Sequence, residues 1–376
     1  MNPNPSPFST RLSWIALAAL LLFFSTVPLP DPLSAPQLAH LILAMGAFPL
    51  IIGAMIYFTP TLTRSAPPEG RVRPLPLLAL LIGTTALGAV GYHLDLIILA
   101  APGGIILCGT LLHWMNGRSR RCLGDPHPGL NWYQGALIFL LLGLTSILLA
   151  HQWPQGWSSL RSIHQQFNIM GFIGLTAIGT LQVFLPTVGG YSDPNTGTRL
   201  KQHLPFAVVG TLFLAAGAAD IPYCDLLGKA LWLVPLLSLA HPCWKNRQKF
   251  NPRSGAAFSL LGALWGFIGL VVTGEATTLP YLFYFFLFPL VTGALSHLLP
   301  LWWWPGVPTQ KRDDAQRFLG GWGAYRLLGF YGAGLVAIWH HDWGGWIGWV
   351  TLLSFAGQLL PIRFLTSPNN RVNTSE

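Results

Sequence analysis

The stretch FPLIIGAMIYFTP, residues 48–60, returns 240 residues later as FPLVTGALSHLLP, residues 288–300. Pro49, Gly53, Ala54 and Pro60 recur as Pro289, Gly293, Ala294 and Pro300. Proline and glycine are the residues an ordinary helix keeps least readily, so a helix written twice with both is a designed element. Between the two copies, GFIGLTAIGTLQVFLP, residues 171–186, sets Gly179 seven residues before Pro186, the spacing that separates Gly53 from Pro60 and Gly293 from Pro300. The glycine anchors are 126 and 114 residues apart, which divides the chain into three units of approximately 1–125, 126–250 and 251–376 within a single membrane domain, 1–376.

The surroundings of these helices are apolar. Of 376 residues, 52% are hydrophobic and 9% charged, against about 25% charged in soluble domains. Twelve segments approach the roughly 20 apolar residues that a helix needs to cross a bilayer: 14–30, 37–60, 74–92, 95–115, 132–152, 163–187, 204–222, 224–243, 255–274, 278–302, 319–340 and 345–363. With both termini cytoplasmic, the loop arginines and lysines fall on the inner side, as positive-inside loops require; Arg161 is the one exception. The net charge of +9 is therefore a topology signal. No soluble segment organises these charges into a groove for nucleic acid, which is not expected as a partner. Arg11, the following apolar run and LSAPQLA have the layout of a signal peptide, but another spanning segment follows almost at once, which favours a retained first helix. Cys108, Cys122, Cys224 and Cys243 show no CxxC spacing, so neither a disulfide framework nor a thiolate metal site is expected. A phosphate loop, an HExxH helix and a dinucleotide fingerprint are all missing from the sequence.

Glycine in a membrane helix admits a neighbouring helix or a flat ligand close to the backbone. Proline near the helix end frees carbonyls for other polar groups. Six histidines, His40, His93, His151, His164, His340 and His341, map to the outer ends of the spans, and neutral imidazole is a common ligand of transition metals. His40 opens the second span and His164 the sixth, with Asn168 one turn from His164 on the same face. Axial ligation of a heme between these two helices is the sharp expectation, and an amphipathic residue in the headgroup zone is the plain one. Aligned on the anchor glycines, His40 matches Gln166 and Pro280, and His164 falls two residues earlier.

Three further groups carry chemistry. His340, His341 and Asp342, joined by His93 and Asp95, form a candidate copper or transition-metal group, with a solvated turn as the alternative. Asp225 and Lys229, four apart, predict an ion pair at membrane depth, which with Asp220 offers a proton or ion path. Arg326 lies two turns inside the eleventh span, where it either snorkels outward or binds a propionate or phosphate group. LWWWPG, residues 301–306, reads as an interfacial aromatic anchor. His113, His127, His203 and His241 lie beside basic loops and read as headgroup contacts.

Twelve helices in three four-helix arcs, with histidines on the second, sixth and tenth, resemble the catalytic subunit of the heme-copper oxidases. More closely, HLILAMGAFPLIIGAMIYFTPTLTR and HQQFNIMGFIGLTAIGTLQVFLPTV resemble the histidine, glycine-aromatic and proline helices of NnrS-type membrane proteins. The resemblance implies an all-α fold of twelve spans in the bacterial inner membrane. It also implies heme or copper as cofactor, and a role in redox, nitric oxide or metal handling beside a redox protein or an oxidase or reductase complex. The oxidase ligand set is incomplete, because the tenth span has only His297 and the seventh has no histidine. Terminal oxidase activity is therefore not expected. A cofactor-free assembly subunit and a secondary transporter stay open; the transporter would more usually show two six-helix halves.

Overall fold

The computed structural model describes residues 7–26, 33–246, 248, 255–274 and 278–365, with the side chains of Pro7, His341 and residues 363–365 excepted. Asp31, Glu275, Arg247, Lys249, Arg253 and Arg371 lie outside the described residues. Among those described, every regular element is helical. In chain order the helices are α1 (Pro7–Phe23), α2 (Ala35–Leu62), α3 (Leu75–Gly91), α4 (Ile97–Arg120), α5 (Gly129–Gln152) and α6 (Pro154–Gly189). They continue as α7 (Thr196–Gly217), α8 (Cys224–Lys245), α9 (Gly255–Thr273), α10 (Leu279–Trp303), α11 (Gln310–Gly321), α12 (Gly323–Trp339) and α13 (His341–Leu365).

Nine of these are long and apolar enough to cross a membrane, three fewer than the sequence suggests. The three that fall short have physical reasons. At 1.5 Å per residue, the 17 residues of α3 and of α12 reach about 26 Å, under the roughly 30 Å of a hydrocarbon core. Helix α7 has 22 residues but begins TGTRLKQH, so its apolar part starts only at Leu204. The expected span 319–340 is broken at Trp322, and the polar helix α11 precedes it. Helix α1 begins earlier than expected, at Pro7, and runs to Phe23.

The repeated helices share three structural features. Each contains a π-helical stretch before its motif glycine: His40–Ala47 in α2, Phe167–Gly174 in α6 and Leu282–Leu287 in α10. Each motif glycine receives the preceding helix. A methyl group added to Gly53 would meet Leu12 of α1 at 2.4 Å, one on Gly179 would meet Trp132 of α5 at 2.6 Å, and one on Gly293 would meet Ser259 of α9 at 2.9 Å. Each motif proline has its carbonyl taken by a later amide: Pro60 by Ser65 (2.9 Å), Pro186 by Tyr191 (3.1 Å) and Pro300 by Trp304 (2.9 Å). The glycines thus serve helix packing, and the prolines end their helices with satisfied carbonyls.

Aromatic contacts join the three repeated helices pairwise. Phe48 of α2 meets Phe172 of α6 at 5.8 Å, Phe184 of α6 meets His297 of α10 at 5.4 Å, and Tyr57 of α2 meets Trp302 of α10 at 5.8 Å. The connections after them are stapled by arginine. Arg118 of α4 donates to Ser65, to the carbonyls of Ala66 and Pro67, and to Glu69 at 3.1 Å. Arg199 of α7 holds Asp193 at 2.7 Å, and Arg312 of α11 holds the Gly306 carbonyl at 3.1 Å. The guanidinium fork suits this because it fills several acceptors from one rigid plane.

Candidate functional site

A cavity of about 800 Å³ opens between α2, α3, α4, α5 and α6. Its walls are mostly apolar: Leu43, Phe48, Ile82, Ala86, Leu140, Leu144, Phe172 and Ile173. The polar groups sit on one stripe of α6, where Trp157, Arg161, His164 and Asn168 recur at helical spacing, and on His40 of α2. Thr278, Leu279 and Pro280, at the start of α10, close one edge. The first turns of α6 are polar because they lie at the open end, where Arg161 and Gln165 are exposed.

The two histidines face one another across this space. Their rings are nearly parallel, 9° apart in plane, with centroids 6.5 Å apart. His40 Nδ1 lies 2.7 Å from the Pro36 carbonyl and His164 Nδ1 lies 2.9 Å from the Gly143 carbonyl. A carbonyl only accepts, so both Nδ1 atoms carry the proton and both Nε2 atoms keep a lone pair. This is the outer-shell arrangement that fixes the tautomer of a metal-ligating histidine. Asn168 Nδ2 donates to the His164 carbonyl at 2.7 Å and stands 3.5 Å from His164 Nε2. The two-residue offset of the aligned sequences does not separate the rings.

Local chain features set these positions. Gln37 Oε1 accepts from the Ser34 amide at 2.9 Å at the start of α2, and Pro36 occupies its first turn. Gly143 has no side chain where one would meet Asn168 Nδ2 at 2.8 Å, so α5 brings its carbonyl to His164. Gly83 of α3 lies so close to α2 that an added methyl would be 2.1 Å from the Ala44 carbonyl, inside the π-helical stretch.

The other interfaces of the repeated helices are filled. Trp232, Phe267 and Phe286 pack in series between α6 and α10, Trp232 edge-on to Phe267 at 5.8 Å and Phe267 stacked on Phe286 at 4.3 Å. Phe23, Phe288 and Phe330 occupy the space beside α10 and α12, at 5.1 and 5.7 Å. All six rings are fully buried.

The remaining expected site residues lie apart from the cavity. His93 and His340 are exposed, neither lines the cavity, and no group of three or more His, Cys, Asp or Glu that could hold a metal occurs among the described residues. His151 Nε2 is 3.6 Å from Asp95, and the His341 side chain is not described. Lys229 and Asp225 form the expected ion pair at 2.6 Å, with Asp225 55% exposed, and Asp220 stands exposed in the turn before α8.

Arg326 does not snorkel. It is 2% exposed, donates to Gln358 Oε1 at 2.5 Å, Ser296 Oγ at 3.1 Å and the Leu319 carbonyl at 2.7 Å, and lies over Phe355 at 4.7 Å. It ties α10, α11, α12 and α13 together and is not among the residues lining the cavity. Arg161 is the residue that sequence reasoning passed over. Its signal was available, as the one basic loop residue that breaks the charge rule and as part of the spacing Trp157, Arg161, His164, Asn168.

The fold and the cavity define a multi-pass α-helical membrane protein with a histidine pair set in an apolar chamber. Compared with models of known families and with curated proteins, the sequence shows no match.

Proposed function

We propose that the chain is a heme-binding membrane protein in which His40 and His164 would hold the cofactor, working in redox, nitric oxide or metal handling without terminal oxidase chemistry. The observation that carries this reading is the near-parallel pair His40 and His164, each with Nδ1 tied to a backbone carbonyl, lining one mostly apolar cavity. The ring centroids are 6.5 Å apart, which leaves room for one metal atom that both imidazoles would hold. A volume of about 800 Å³ lies within the range of organic ligand sites, and a single copper ion would leave most of it to be filled otherwise. The residues present therefore fit a flat metal-bearing macrocycle better than an ion alone.

A heme with two imidazole ligands supplies a one-electron redox couple. The chain's own residues would set its surroundings. The Pro36 and Gly143 carbonyls hold the rings in orientation, Phe48, Phe172 and Leu144 exclude water, and Gly83 lets α3 close the wall. Three π-helical breaks, three glycine contacts and three capped prolines support an arrangement of three four-helix arcs of oxidase subunit type. With the basic loops cytoplasmic, the histidine end faces outward in a bacterial-type inner membrane. A partner redox protein would then exchange electrons at that outer end. Filling of the two related interfaces by aromatic rings is consistent with one cofactor site.

The test is optical: the purified full chain, titrated with hemin, gives a shifted and narrowed Soret band with one equivalent bound. A chain that leaves hemin's spectrum unchanged refutes the reading and favours a cofactor-free subunit.

A further inference from the structure

Arg161 is a cation in an unusual place. It lines the cavity at its open end, four residues from Trp157 and three from His164 on the same face of α6, and is itself exposed. No ion pair or hydrogen bond of its guanidinium is found among the described residues. Among the described residues at that end, Asp95 lies 3.6 Å from His151 and Asp225 is bound to Lys229 at 2.6 Å. Arginines of the opposite end behave differently: Arg118, Arg199 and Arg312 each hold loop carbonyls or carboxylates of the chain itself. An arginine kept against the charge rule, lining the cavity and without an acceptor among the described residues, calls for an acceptor on the occupant.

We infer that Arg161 binds a carboxylate of the cavity's occupant, so that the site selects a macrocycle bearing free carboxylates and holds it with that acidic edge toward the open mouth and its apolar edge toward Phe48 and Phe172. The inference rests on the heme reading and adds to it the chemical class and the orientation. The guanidinium presents a planar fork matched to a carboxylate, which a lysine ammonium lacks. Trp157, one turn earlier on the same face, also lines the cavity. Insertion is then apolar edge first from the open end, because the opposite order would carry the carboxylates through the leucine and phenylalanine walls without partners.

The experiment compares hemin with hemin dimethyl ester, which has the same ring and metal but no free carboxylate, on the detergent-solubilised full chain, reading the Soret shift. The unmodified chain binds hemin about ten-fold or more tightly than the ester, the scale of one charge-assisted contact. Arg161→Gln loses that margin for hemin and leaves ester binding unchanged, and Arg161→Lys restores only part of it. Arg64→Gln, at the opposite end, changes neither. Equal binding of hemin and ester by the unmodified chain, or full hemin affinity in Arg161→Gln, overturns the inference and leaves the histidine reading standing. Binding of neither compound by the unmodified chain removes both.

Discussion

His40 and His164, on helices separated by three others in sequence, hold their rings within 9° of parallel at 6.5 Å, each with Nδ1 tied to a backbone carbonyl. One carbonyl belongs to the same helix and the other to its neighbour, so the pair depends on how α2, α5 and α6 pack. Helix packing and the site are therefore one problem in this fold.

The packing is tested at Gly83. Its replacement by alanine drives a methyl into the Ala44 carbonyl at 2.1 Å, and backbone cannot move aside as a side-chain tip does. Gly83→Ala should destabilise the chain by about 1–3 kcal/mol, the usual range for overpacking. Gly109→Ala on α4, where nothing lies within 4 Å, should be neutral or stabilising by about 0.5–1 kcal/mol. Thermal unfolding in detergent reads both, and equal melting temperatures would contradict the close approach.

The same logic extends to the charged interior at the other end. Arg326→Met leaves Gln358, Ser296 and the Leu319 carbonyl without their donor, at about 1–3 kcal/mol for each group left unpaired in a buried setting. Arg326→Lys should not rescue, because one ammonium cannot span three acceptors held in a plane. A melting temperature unchanged in either variant would show that Arg326 is not the tie among α10, α11, α12 and α13.

How much of this could be read from sequence differs by residue. Pro60, Gly53 and their copies announced the repeated helices because both residue types are costly inside a helix. Their π-helical breaks gave no signal, since HLILAMGA, FNIMGFIG and LFYFFL are mostly apolar runs with no shared residue pattern to set them apart from ordinary helix. His40 and His164 were legible as outer-end candidates. Their pairing was not, because it depends on the Gly143 carbonyl, 21 residues from His164. Arg326 looked like a snorkelling residue within a span; the break at Trp322 and partners 30 and 32 residues away make it internal. Helices α3, α7 and α12 form where the sequence has apolar runs, but they are shorter or more polar than the other nine, and length and composition alone do not tell a crossing helix from one packed inside a bundle.

A pH effect is expected at the basic end. His127, in the connection before α5, is held below the usual histidine pKa by burial first and by Arg64 second, and its Nδ1 accepts from the Gly129 amide at 3.1 Å. The unfolded chain therefore binds more protons here than the folded one as pH falls through about 6.5. Stability should drop across that point and level off below the folded value. His127→Asn removes this contribution, so melting curves at pH 7.5 and pH 5.5 should lie closer together for the variant; an unchanged gap would contradict it.

Orientation follows from the basic loops. In a background with the four native cysteines replaced by serine, a thiol at Gln155 should react with an impermeant reagent added to intact cells, and one at Thr309 should react only after lysis. The reverse pattern would place the histidine cavity on the cytoplasmic side.

The most direct measurement of the central claim is the absorption spectrum of the full chain titrated with hemin, compared among single alanine variants. His40→Ala and His164→Ala should each abolish or shift the Soret band, while His203→Ala and His241→Ala, outside the cavity, keep the spectrum of the unmodified chain and all four variants remain folded in the membrane. A Soret band present in the unmodified chain and indifferent to both His40→Ala and His164→Ala would contradict the account.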